Sequence, residues 1–137
     1  MCAEAKRLGL PVIGEYYPAD PDSLTPDEMH RKVYTCTRII SELGADCIKT
    51  FYTNNFREVT ESCPVPVLGL GAARLPSQLD ALKRAADEVR DGAGGVVFGR
   101  NAVQVADPSA FQRALCDVVK HEMAPEEAVK KHNLKDL

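Results

Sequence analysis

The sequence predicts an α/β fold built on a parallel sheet, and two patterns carry that prediction. Four short apolar runs, "PVIGEYYP", "CIKTFYT", "VPVLGLG" and "GGVVFGR", are rich in β-branched or aromatic residues and bounded by Gly or Pro. They are too short for helices and have the composition of strands. Between them lie longer stretches with helical period and recognisable caps. Strands that alternate with helices fold as right-handed βαβ units. A doubly wound sheet and part of a β/α barrel both satisfy this alternation.

Each element has a local reason. "MCAEAKRLGLPV" has the form of the last turns of a helix, closed by Gly9 and leading into the first strand, so the chain is expected to open in mid-unit. After "PVIGEYYP", Thr25 is an N-cap, Pro26 takes the first helical position, and Glu28 stands three residues after the cap, which makes a capping box. Met29, Val33, Cys36, Ile40 and Leu43 follow at spacings of three and four, and Gly44 stops the helix. "CIKTFYT" is the second strand, and a short helix separates it from "VPVLGLG". The next helix runs from about Ser77 to Arg90 with Leu79, Leu82, Ala86 and Val89 on one face. After "GGVVFGR", Asp107 and Pro108 open a helix carrying Phe111, Leu115, Val118 and Val119, and "APEEAVKKH" forms a short last one. A helix tail with four strands and their helices amounts to about half of an eight-stranded barrel, which typically needs ~250 residues.

Composition limits the function classes. At 137 residues and 45% hydrophobic the chain fits one domain, residues 1–137, with a sizeable core. A net charge of −3 with interspersed signs leaves no basic stripe for nucleic acid. The five cysteines, Cys2, Cys36, Cys47, Cys63 and Cys116, are odd in number and form no C-x-x-C pair, so they are expected as reduced thiols of a cytoplasmic protein. No apolar run approaches the roughly 20 residues of a membrane span. His30, His121 and His132 lack metal-ligand spacing and are expected at the solvated surface, with no metal site. "GLGAAR" is a poor dinucleotide fingerprint, because Arg74 stands where a third small residue should be.

One residue is out of place. Lys49 lies in the middle of "CIKTFYT", where Cys47, Lys49 and Phe51 should face one way and Ile48, Thr50 and Tyr52 the other. A lysine there either snorkels from the strand or pairs with a carboxylate, or it is a buried amine able to attack a carbonyl. Position alone leaves both readings open.

"ELGADCIKTFYT", followed by "CPVPVLGLG" and "GAGGVVFGRNAVQVADP", resembles the C-terminal half of the archaeal-type class I fructose-bisphosphate aldolases and of their deoxyribose-phosphate aldolase-like relatives. The resemblance spans roughly residues 11 to 129. It implies a partial (β/α)₈ TIM barrel, strands five to eight with their helices, and makes Lys49 the Schiff-base residue of the sixth strand. It gives Tyr17, directly before Pro18, the place of a general acid/base. Glu15 departs from the residue commonly found in relatives and would orient substrate or pair with Lys49. The loops after strands seven and eight would hold substrate phosphate through Gly71, Ala72, Gly99, Arg100 and Asn101, a role that such loops have in many barrels. Relatives usually carry two glycines after the seventh strand, whereas Ala72 follows Gly71 here.

The activity so implied is reversible aldol cleavage of a phosphorylated ketose such as fructose 1,6-bisphosphate, without metal or other cofactor. The alternative is a non-catalytic half-barrel that binds phosphorylated ligands or a partner. Four strands of a barrel leave two edges and an inner face unfilled, so either a second copy or an N-terminal half-barrel is expected as partner.

Overall fold

A computed structural model describes residues 1–135. It contains α1 (Cys2–Arg7), β1 (Ile13–Glu15), a 3₁₀ turn (Pro21–Ser23), α2 (Pro26–Glu42), β2 (Cys47–Phe51), α3 (Phe56–Ser62), β3 (Val67–Leu70), α4 (Gln78–Arg90), β4 (Gly95–Val97), α5 (Arg100–Val103), α6 (Pro108–His121) and α7 (Pro125–His132). The four strands form one parallel sheet in the order β1-β2-β3-β4. That order settles the choice the alternation left open. Right-handed crossovers between strands that are neighbours in chain order put every helix on one face of the sheet. A doubly wound sheet needs a reversal of strand order, and there is none among the described residues. The sheet is therefore part of a β/α barrel, helices outside and the other face bare.

Burial along β2 shows the division. Ile48 and Thr50 are fully buried under the helices, while Cys47, Lys49 and Phe51 are half-buried on the opposite face. Ile13 and Val97 on the outer strands are exposed apolar residues. The helix side holds two apolar clusters. Val33, Phe56, Val59, Val67 and Ala93 join α2 and α3 to the sheet, and Leu82, Phe111, Ala114, Val118 and Ala128 join α4, α6 and α7.

The caps formed as the residues dictate. Thr25 accepts from the Glu28 amide, and the Glu28 carboxylate accepts from the Thr25 amide at 2.9 Å, closing the capping box. Ser77 and Asp107 each accept from the amide three residues on. The helix faces are less regular. On α2 the buried line is Val33, Thr37 and Ser41, and Leu43 is exposed. On α4 it is Gln78, Ala81, Leu82, Ala85 and Glu88, with Leu79, Ala86 and Val89 only half-buried. The expected stripe is displaced because α4 packs against the sheet on one side and α6 and α7 on another, so apolar side chains are divided between two contacts. Small residues and one acid then face the strands. The fourth strand run ends early, at Val97, and α5 begins within its expected tail.

Candidate active site

β1 and β2 pair in parallel with Glu15 opposite Lys49. Directly opposed residues point to the same face, so strand register alone brings the carboxylate to the ammonium. Glu15 Oε1 lies 2.9 Å from Lys49 Nζ, on the face that carries no helix. Both side chains stay partly wet, at 42% and 29% exposure, and such a pair adds little to stability, under about 1 kcal/mol. The arrangement sets a carboxylate able to accept a proton at hydrogen-bond distance from the amine.

On its other side Lys49 is flanked by Leu68 of β3, and Phe51 by Leu70. Tyr17 lies two residues past the end of β1, with its ring on Phe51 at a centroid distance of 4.9 Å and a tilt of 56°. Tyr17 is 56% exposed. Tyr16, its neighbour, turns the other way into the cluster of Val33 and Phe56, where burial raises its phenol's pKa and Cys36 adds to the effect. Pro18 is buried and fixes the chain behind Tyr17. Lys49, Glu15 and Tyr17 thus share one end of the bare face.

The two loops expected to hold phosphate are stitched together. Asn101 is buried, its Nδ2 donates to the carbonyls of Gly71 (2.7 Å) and Ala73 (3.0 Å), and its Oδ1 accepts from the Leu75 amide (2.7 Å). The Asn101 side chain is thereby committed to the loop, and only its backbone amide remains at the α5 N-terminus. Arg100 is exposed and donates to the Ala72 carbonyl at 3.0 Å. Gly71 is explained by packing: a Cβ there would come within 2.8 Å of the Phe98 ring and 3.0 Å of the Asn101 amide. Ala72 has φ 46°, a left-handed backbone that a glycine would adopt without cost. Gly99 has open space around it and leads into the first-turn amides of α5.

His121 is exposed as expected, but the expectation for the other two histidines needs correction. His30 is mostly buried, with Nδ1 2.9 Å from Thr53 Oγ1 and Nε2 3.2 Å from Glu58 Oε2. His132 is also mostly buried and lies 2.7 Å from Asp117 Oδ2. Their partners come from other elements, which spacing within one helix cannot reveal. Glu88 was missed for the same reason. It is fully buried against Gly69, and its carboxyl has no hydrogen-bond partner among the described residues. No three His, Cys, Asp or Glu among the described residues come together as a metal cage, no described helix is long and apolar enough to cross a membrane, and the five cysteines are free thiols.

Comparison with known proteins gives concordant results. Residues 1–105 match the DeoC/LacD family of aldolases. Over 93 residues the chain is 40% identical to the 3-hydroxy-5-phosphonooxypentane-2,4-dione thiolase of Salmonella paratyphi A, which covers 67% of this chain and 32% of that protein. The fold matches an archaeal fructose 1,6-bisphosphate aldolase with a TM-score of 0.74 and 31% identity, over 85% of this chain and 48% of the other. It matches equally, at 30% identity, a structure of such an aldolase with its catalytic Lys covalently bound to the carbinolamine intermediate of the substrate. The chain thus spans about a third of the length of the curated relative and about half that of the solved aldolases.

Proposed function

The chain belongs to the DeoC/LacD family of aldolases, and from that premise we propose that it supplies the Schiff-base half of a class I aldolase acting on a phosphorylated ketose such as fructose 1,6-bisphosphate. The observation that carries the reading is the placement of Lys49 on the bare face with Glu15 Oε1 at 2.9 Å. Glu15 takes a proton from the ammonium, and the freed amine attacks the ketone carbon to give a carbinolamine. Tyr17 protonates the departing hydroxyl, so loss of water leaves an iminium and a Tyr17 phenolate. That iminium accepts the electron pair of the neighbouring carbon–carbon bond as it breaks, while the proton of the adjacent hydroxyl passes to the Tyr17 oxygen, the aldehyde leaves, and an enamine remains. Tyr17 returns the proton to the enamine carbon, and hydrolysis restores Lys49. The amides at Gly99 to Asn101 and the Arg100 guanidinium take the phosphate, with Gly71 and Ala72 shaping the facing loop. The relatives named for fructose 1,6-bisphosphate and for a phosphonooxypentanedione share a ketone and a phosphate, which is the substrate class proposed here.

The protein is proposed to work with a partner that covers the bare sheet face, either a second copy or an N-terminal half-barrel. Its surface is 7922 Å² for 15.0 kDa, where a compact monomer of that mass shows about 7,000 Å². The surplus is close to the ~800 Å² that each partner contributes to a standard interface. The same exposed face supports the alternative, a half-barrel that binds phosphorylated ligands without catalysis. Borohydride trapping separates the two readings. Incubation with dihydroxyacetone phosphate and borohydride should leave a stable adduct on the Lys49 peptide that Lys49→Met abolishes. An adduct spread over surface lysines, or none at all with the partner half supplied, refutes the catalytic reading.

A further inference from the structure

We infer that His30 is a positioning residue for this site, clamping the exit of the Lys49 strand to the helix that follows the Tyr17 loop. Its consequence for catalysis rests on the Schiff-base reading above; its geometry stands independently. Tyr17 and Lys49 belong to different βα units, so their relative position depends on how α2, which ends the Tyr17 loop, is held against the residues leaving β2. Two ties cross that junction. His30, in the second turn of α2, reaches Thr53 Oγ1 with Nδ1 at 2.9 Å, and Asn54 Nδ2 donates to Asp27 Oδ1 at 3.2 Å. The second tie is exposed. The first is sheltered, with Thr53 only 6% exposed and the His30 side chain 15%.

Hydrogen-bond chemistry fixes how the ring is used. A carboxylate only accepts, so in the neutral imidazole Nε2 carries the hydrogen toward Glu58, and Nδ1 accepts from the Thr53 hydroxyl. One ring thereby ties α2 to the β2 exit and to α3. Thr53 is two residues beyond Phe51, on which the Tyr17 ring rests. Phe51 ends β2 beyond the β1 pairing and is held in the sheet by β3 alone, so releasing Thr53 lets Phe51 move, and Tyr17 moves with it. Lys49 and Glu15 sit on paired strands and are held by the sheet itself. Loss of the clamp should therefore spare iminium formation and impair proton transfer, because a misplacement of an ångström is enough to slow a reaction substantially.

The test uses the full chain, dihydroxyacetone phosphate, and the variants Thr53→Val, Thr53→Ser and His30→Gln. Trapped Lys49 adduct reports the iminium, and solvent deuterium exchange at the hydroxymethyl carbon beside the ketone reports proton transfer. Thr53→Val and His30→Gln are expected to keep adduct yield within about twofold and to lose exchange by at least about tenfold, whereas Thr53→Ser keeps both. Adduct and exchange falling together in step with lost folded protein, or neither changing, overturns the inference. If the wild-type chain forms no adduct even with the partner half supplied, the Schiff-base reading fails, and the cross-relaxation between the Tyr17 and Phe51 rings decides the clamp alone. Its loss in a folded Thr53→Val variant upholds the clamp, and its persistence overturns it.

Discussion

Replacing Glu88 by Gln should change how stability depends on pH, with a sign that reverses across the neutral range. Glu88 lies under β3 with its carboxyl against Gly69, fully buried and unpartnered among the described residues. Burial pushes its pKa up from 4.5 to about 8, the Arg84 guanidinium opposes the rise, and Asp87 adds to it. The folded state therefore holds the proton more tightly than the unfolded state does. The contribution to stability is fully present below pH 4.5 and is lost as pH rises toward 8. One proton bound differently is worth about 1.4 kcal/mol per pH unit, so the loss across that window is on the order of 4–5 kcal/mol, and local relaxation will reduce it. Glu88→Gln keeps the shape and removes the titration, but it buries an amide donor that costs about 1–2 kcal/mol. At pH 5 the variant should match the wild type or fall slightly below it, and at pH 9 it should be more stable by roughly 2–3 kcal/mol. Urea unfolding of both proteins from pH 5 to 9 measures this, and the difference between the two curves cancels groups that titrate identically in both. Parallel curves would show that the Glu88 carboxyl is hydrated or paired in the folded protein, and would refute the reasoning.

Three further outcomes are expected. Ala72→Gly should stabilise the protein by roughly 0.5–1 kcal/mol, because it removes a left-handed alanine at φ 46° at the cost of a more flexible unfolded chain, and thermal unfolding would register an increase of about 2–3 °C. Asp117 accepts from Lys131 at 2.8 Å and lies 2.7 Å from His132 Nε2, which hold its pKa down at about 2, so the docking of α7 should be at full strength above pH 3.8 and weaken as pH falls toward 2. Amide exchange in α7, corrected for intrinsic rates, should rise in that window in the wild type and already be fast at pH 6 in Asp117→Asn. Light scattering should give a mass of 30.0 kDa, twice the 15.0 kDa chain, or a complex with a supplied N-terminal half-barrel; a cooperatively melting monomer that binds little apolar dye would refute the pairing.

By itself the sequence determined what depends on residues within a turn or two of one another. The Thr25–Glu28 capping box, the Ser77 and Asp107 caps, the four strands and the alternation that turns Lys49 away from Ile48 and Thr50 all formed where local chemistry places them. Cap and turn energetics act over three or four positions, and strand alternation has a period of two, so neither needs knowledge of what lies across the molecule. Only the tertiary structure decided that strand order runs without reversal, which removes the doubly wound alternative and leaves one sheet face bare. Register decided that Glu15 meets Lys49, because a slip of one residue would have sent the carboxylate to the helix side. Packing decided the rest. The α4 helix, pressed between the sheet and two other helices, buried Glu88 in place of the expected Leu79 and Val89, and His30 found Thr53 and Glu58 on segments that its own helical spacing could not anticipate. Those side chains are placed by long-range contacts between separately specified elements, and their environments exist only once the elements have docked.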